Sequence, residues 1–183
     1  MMYKNKWIEK NPVTRPGIKL EAIRKIVMHY TANPEMTAHE HYEWLNQERK
    51  RYASAHFFVD RNETLCVVPT DEVAYHANDR ARFVNGELYR GTKALLPDAN
   101  YLSLSIEMCV DRNIEIASEI EMRALELAVF LCAKHQLEAT DIIRHFDISG
   151  KFCPAPWVNN PERFEQFRSK AVQKLKQIRQ EKN

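Results

Sequence analysis

Glycine is scarce, with 4 residues in a chain of 183. The sequence accordingly holds neither G-x-x-x-x-G-K-[ST] nor G-x-G-x-x-G, which excludes phosphate-cradling loops of those two kinds. No apolar run approaches the ~18 residues of a membrane-crossing helix. Neither sign of charge dominates: 27 Lys plus Arg stand against 25 Asp plus Glu, a net +2. Charge alone therefore points to neither a nucleic acid nor a membrane surface as partner. The four cysteines, Cys66, Cys109, Cys132 and Cys153, form no C-x-x-C pair. Cys66, Cys109 and Cys132 are expected as reduced thiols of a protein made in a reducing cytoplasm, and Cys153 is set apart from them. The opening MMYKNKWIEKNP has no apolar stretch of the kind a secretory leader carries, so no signal peptide is expected. What is present is an ordinary globular composition, 44% hydrophobic and 28% charged, at a length suited to one domain.

Along the chain, strand and helix signals alternate. Residues 1–24 read as an irregular arm, with Pro12 and Pro16-Gly17 as turn signals. Lys25 to Thr31 is a short β-branched run that predicts a buried strand. Thr37 and Glu40 predict a capping box opening a helix to about Lys50. Two strands are expected at 54–60 and 64–69, then a long surface loop over 70–101. Leu102 to Val110 alternates: Leu102, Leu104, Ile106, Met108 and Val110 face one way, and Ser103, Ser105, Glu107 and Cys109 the other. Ser118 and Glu121 predict a second capping box, on a buried helix to about Gln136. A short strand is expected at 141–145. Asn160 and Pro161 open a last helix, to about residue 180, with the apolar stripe Phe164, Phe167, Ala171, Leu175 and Ile178.

The seven histidines do not read alike. His39 and His41 lie two positions apart on one helix, about 200° around its axis, and cannot share a metal; both are expected in surface or partner roles. His135, near a helix end, is expected to be structural or solvated. His29 and His145 sit at or near the C-terminal ends of short apolar strands, where sheets present functional groups. Eight residues after His145, across a loop carrying Ser149-Gly150, stands Cys153. Imidazole and thiolate are ligands zinc prefers, and three protein ligands leave a fourth position for water. His29, His145 and Cys153 thus form a candidate zinc site, the alternative for a strand histidine being a hydrogen-bonded core residue. Glu107 reads either as a solvent-facing strand residue or as the carboxylate that moves protons beside the metal. Lys151 reads either as a surface lysine or as a cation for an oxyanion.

The segments IVMHYTA, SAHFFVDRNE, YHAND, LSIEMCV and HFDISGKFCPAP together resemble the type-2 N-acetylmuramoyl-L-alanine amidase family, over roughly residues 25–157. The resemblance implies an α/β fold, a central mixed sheet of five or six strands with helices on both faces. It implies zinc on His29, His145 and Cys153, Glu107 and Lys151 as catalytic groups, and His76 at the substrate cleft. Asn33 reads as a cleft-rim residue or as the turn before Pro34, and His56 as cleft-lining or structural. Some family members carry a catalytic tyrosine where this chain has Ala55, and the family's W-H-A-G stretch here reads Tyr75-His76-Ala77-Asn78. The implied domain is 25–183, and the implied substrate is peptidoglycan. No nucleic-acid or membrane partner is expected, and a monomer is. The site of action is the cell wall for a holin-released endolysin, and otherwise the cytoplasm. The competing readings are a non-catalytic peptidoglycan-binding module and a zinc-stabilised interaction domain.

Overall fold

The computed structural model describes residues 2–48, 50–77, 83–89 and 91–181. Its strands are β1 (Lys4–Asn5), β2 (Lys25–Pro34), β3 (Phe57–Val59), β4 (Thr64–Cys66), β5 (Phe83–Val84), β6 (Glu87–Leu88), β7 (Ser103–Val110) and β8 (Ile142–Arg144). The helices are α1 (Ala38–Gln47), α2 (Ser118–His135), α3 (Phe146–Ser149), α4 (Ala155–Asn159) and α5 (Pro161–Gln180), with 3₁₀ turns at Lys93–Leu95, Ala99–Tyr101 and Ala139–Asp141. Six strands form one mixed sheet in the order β1-β4-β3-β7-β2-β8. Only β3 and β4 run antiparallel; the other neighbours are parallel. This is the α/β architecture the sequence predicts, with six strands.

The central position of β7 decides its burial. It lies between β3 and β2, and Ser103, Ser105 and Cys109 on its polar side are as buried as Leu104, Ile106 and Met108 on the other. Parallel strands are normally covered on both faces. Only Glu107 keeps partial exposure. Strand β2 runs to Pro34, past the predicted end at Thr31. A bulge between Tyr30 and Pro34, with Ala32 at φ 54°, lets pairing to β7 resume at Pro34 and Val110.

Thr37 caps α1 through the predicted box with Glu40. Asn160 caps α5, with Pro161 in its first turn. Phe164, Phe167, Ala171 and Leu175 of its stripe are buried, and Ile178 is partly so. The second predicted box is absent: Ala117 stands at the N-cap of α2 without a side-chain bond. Ser118 bonds the neighbouring Glu119 carboxylate. Glu121 is committed instead to α5, accepting from Arg163 Nε at 2.7 Å. A charge-assisted bond between helices outcompetes a local cap.

The stretch expected as one long loop has structure of its own. Asn85 and Gly86, both at positive φ, turn the hairpin of β5 and β6. Before it, Val73, Ala74 and His76 are buried. The N-terminal arm is mostly irregular but firmly packed. β1 pairs with β4, Ile8 is fully buried, and Arg15 makes a two-pronged ion pair with buried Glu72. None of the four cysteines is in a disulfide, and all four are buried.

Candidate metal centre and cleft

Register brings the predicted residues together. Met28 of β2 pairs with Arg144 of β8, and the next amide, His145 N–H, donates to Met28 O. His29 is paired with Glu107 of β7, and Glu107 with Phe58 of β3. Side chains at paired positions of neighbouring strands share a face. His145, His29, Glu107 and Phe58 therefore stand in one row across four chain segments.

The short helix α3 brings in the third candidate ligand. Arg144 grips Asp147 of this helix at 2.8 Å. Gly150 ends the helix at φ 76°, its N–H bonding Phe146 O, a left-handed turn that costs glycine least. The chain then folds back, and Phe146 N–H donates to Cys153 O at 2.9 Å. His29, His145 and Cys153 result as a buried group whose ligand atoms all lie within 4.8 Å of one another. His29 Nδ1 is 3.0 Å from His145 Nδ1 and 3.8 Å from Cys153 Sγ. Tetrahedral zinc, with bonds of about 2.0 Å to nitrogen and 2.3 Å to sulfur, sets such ligands roughly 3.3 to 3.5 Å apart. The donor set and its spacing fit a metal ion. Burial, then the neighbouring imidazoles of His145 and His76, hold the pKa of His29 well below its ordinary value, so the ring is neutral, as a ligand must be.

The group opens onto a cleft of about 860 Å³ whose lining includes His29, Asn33, His76, Glu107, Lys151 and Cys153. Burial pushes the Glu107 carboxyl up to about 7, with Lys151 pulling the other way. Glu107 Oε2 is sealed from solvent and has no hydrogen-bond partner. A carboxyl so placed exchanges protons near neutral pH.

The other predicted residues separate. Asn33 is exposed on the rim. His76 lines the cleft, but its ring nitrogens face inward, toward His29 at 3.2 Å and Ser103 Oγ at 3.3 Å. His56, read as cleft-lining or structural, is not among the residues lining the cleft. It is fully buried, Nδ1 accepts from Ser105 N–H at 3.1 Å, and Nε2 meets Glu72 O at 2.9 Å. Ala55 is buried as well, and Asn78 lies outside the described residues.

His41 departs from its expected surface role. It is buried, stacks on Phe58 at 4.9 Å, lines the cleft and leaves Nε2 without a partner. The predicted helix placed it correctly, but only the packing of α1 on β3 shows which side of the helix is covered. Exposed Trp44 (42%) and Phe152 (52%) add apolar rims that periodicity did not signal.

A buried His-His-Cys group that could hold a metal, set on one face of a mixed α/β sheet beside a carboxylate and a lysine, marks the chain as an α/β domain with a candidate metal centre. The chain belongs to the N-acetylmuramoyl-L-alanine amidase family Amidase_2, whose family model matches residues 19–156. It is 44% identical over 176 residues to the N-acetylmuramoyl-L-alanine amidase BlyA of Bacillus subtilis (strain 168), covering 95% of this chain and 48% of that protein. It is 40% identical over 168 residues to the N-acetylmuramoyl-L-alanine amidase CwlL of Bacillus licheniformis, covering 90% and 45%. The chain thus spans about half the length of these relatives. Among solved structures, the fold is similar to that of PlyL (TM-score 0.74, 19% identity, 93% of this chain and 97% of that one). It is also similar to the PlyG catalytic domain (TM-score 0.75, 17% identity, 96% of each).

Proposed function

We propose that this domain is a zinc-dependent amidase that hydrolyses the bond between the lactyl group of N-acetylmuramic acid and the L-alanine of the stem peptide, and that it acts on the cell wall. The catalytic unit is residues 25–183, with the arm of 1–24 bolted to it. One observation carries the reading: the buried group His29, His145 and Cys153 sits beside a cleft that His29 and Cys153 line together with Glu107 and Lys151. Among the described residues no fourth metal-binding side chain joins the cluster, which favours an open position over a closed structural site.

Zinc held there supplies a Lewis acid that polarises the scissile carbonyl and brings the pKa of a water toward about 7. Glu107 takes a proton from the attacking water and passes it to the departing amine of L-alanine. Its raised pKa suits both halves of that transfer, since a group poised near the working pH gives up a proton as readily as it takes one. The Lys151 ammonium faces the oxyanion of the tetrahedral intermediate. No side chain at position 55 competes for the proton, because alanine has none to move. Asn33 on the rim contacts substrate, as do the aromatic walls.

The test pairs metal analysis with hydrolysis of purified peptidoglycan. We expect about one zinc per chain, release of L-alanine amino termini, and a loss of roughly 10²–10⁴ in turnover for Glu107→Gln with zinc retained. Zinc binding without hydrolysis by the unaltered protein overturns catalysis and leaves a binding module.

A further inference from the structure

We propose that His76 and Ser103 are positioning residues, forming a hydrogen-bond chain that ends on the Ala99 carbonyl and locks His29 in the tautomer whose Nδ1 is bare for metal. The inference rests on the metal-site reading above. It changes the expected part of His76 from touching substrate to aiming a ligand.

The proton positions follow from the far end of the chain. Ser103 Oγ lies 2.6 Å from Ala99 O. A carbonyl oxygen only accepts, so the one hydroxyl proton of Ser103 lies on that bond. Ser103 Oγ is then an acceptor toward His76 Nε2 at 3.3 Å, and Nε2 carries a proton. In a neutral ring Nδ1 is consequently bare. It accepts from His29 Nε2 at 3.2 Å, so the His29 proton is on Nε2. His29 Nδ1 is left with its lone pair, on the side where His145 Nδ1 and Cys153 Sγ converge.

The opposite polarity fails at both ends. It sets two oxygen acceptors 2.6 Å apart with no proton between them. It also moves the His29 proton to Nδ1, where it blocks coordination. A flipped His76 ring fails too, because it presents carbon to both neighbours.

The chain is rigidly mounted. His76 N–H and Ala77 N–H both donate to Asn100 Oδ1, at 2.9 and 2.8 Å. Asn100 and Ala99 belong to the same 3₁₀ turn, itself capped by the Asp98 side chain. One three-residue turn thus holds the backbone of His76 and terminates the chain its ring begins. His76, Ser103 and Asn100 are all buried, which shields these bonds from competing water. Ligating histidines generally hand their second N–H to such a partner, and losing the partner costs about 10–100-fold in metal affinity.

The experiment measures zinc affinity by chelator competition, without peptidoglycan, and imidazole tautomers by nitrogen NMR of the zinc-loaded protein. We expect His76→Ala to bind zinc about 10–100-fold more weakly, and Ser103→Ala to weaken it by a smaller factor. Ser103→Ala should add little in a His76→Ala background, because the serine acts through the histidine. NMR of the unaltered protein should show protons on Nε2 of both His29 and His76. Should His76→Ala fail to fold, Ser103→Ala and that spectrum decide. A proton on His76 Nδ1, or zinc affinity unchanged in a folded His76→Ala, overturns this proposal alone. Failure of the unaltered protein to bind zinc overturns the metal reading with it. Absence of peptidoglycan hydrolysis touches only the catalytic reading.

Discussion

Glu107 shows how burial shapes a charge. Burial raises the Glu107 pKa from 4.5 to about 7, so between those values the folded protein holds a proton that the unfolded chain has released. Stability contributed at this site is complete below about 4.5 and falls as pH rises through 7. In metal-free protein, the unaltered chain should lose about 1–3 kcal/mol relative to Glu107→Gln between pH 4 and pH 8, read by urea denaturation. Parallel pH profiles for the two proteins would show that Glu107 is solvated after all. Lys151 works in the opposite sense. On the proposed mechanism its ammonium meets charge that develops only in the transition state, so Lys151→Ala should lower kcat by about 10²–10³ and leave KM nearly unchanged. A loss confined to KM on a soluble muropeptide would instead make Lys151 a ground-state grip.

At the scale of the element, the clearest comparison is between two predicted helix caps. Thr37 and Glu40 make their box, and Thr37→Ala should cost about 0.5–2 kcal/mol in thermal or urea unfolding. Zinc content should not change, since α1 supplies no ligand. Ser118 and Glu121 have the same spacing but make no box, because Glu121 is drawn to Arg163 and to the indole of Trp157. Spacing records what a helix start is able to do. Which bond forms depends on a guanidinium contributed from 42 residues away. The β5–β6 hairpin is a different case. Its Asn85-Gly86 turn was legible as a two-residue hairpin signal, but weak periodicity on either side hid it inside a long loop.

For the whole molecule, the N-terminal arm is part of the fold and not an appendage. Ile8 is fully buried in the main core, and its amide bonds Val67 O beside the β1–β4 pairing. Ile8→Ala should cost about 2–5 kcal/mol of unfolding free energy with zinc binding intact in the folded protein. A change under about 1 kcal/mol would return the arm to the status of a loose extension. The same segment is also linked to the buried His56 ring. Arg15 pairs with Glu72, whose carbonyl meets the His56 ring. None of the described helices is long and apolar enough to cross a membrane.

The sequence alone determined the alternation of strands and helices and the three candidate ligands at strand ends and across one short loop, while the α/β class came with the resemblance of its motifs to a family. The first two are local facts, carried by periodicity, by caps, and by the eight-residue spacing of His145 and Cys153. It also determined that Glu107 stands on the polar side of β7. Only the tertiary structure decided the rest, because each remaining choice depends on a neighbour remote in the chain. His29 joins His145 across 116 residues of sequence, and no periodicity encodes which strands lie side by side. His56 is held inside the fold because Ser105 and Glu72 take both of its ring nitrogens. His41 became buried because α1 lays that side of its surface on Phe58. His76 turned inward because the turn at Ala99–Tyr101 grips its backbone and, through Ser103, its ring. A histidine's role is set by what meets its two nitrogens, and those partners are assembled by folding.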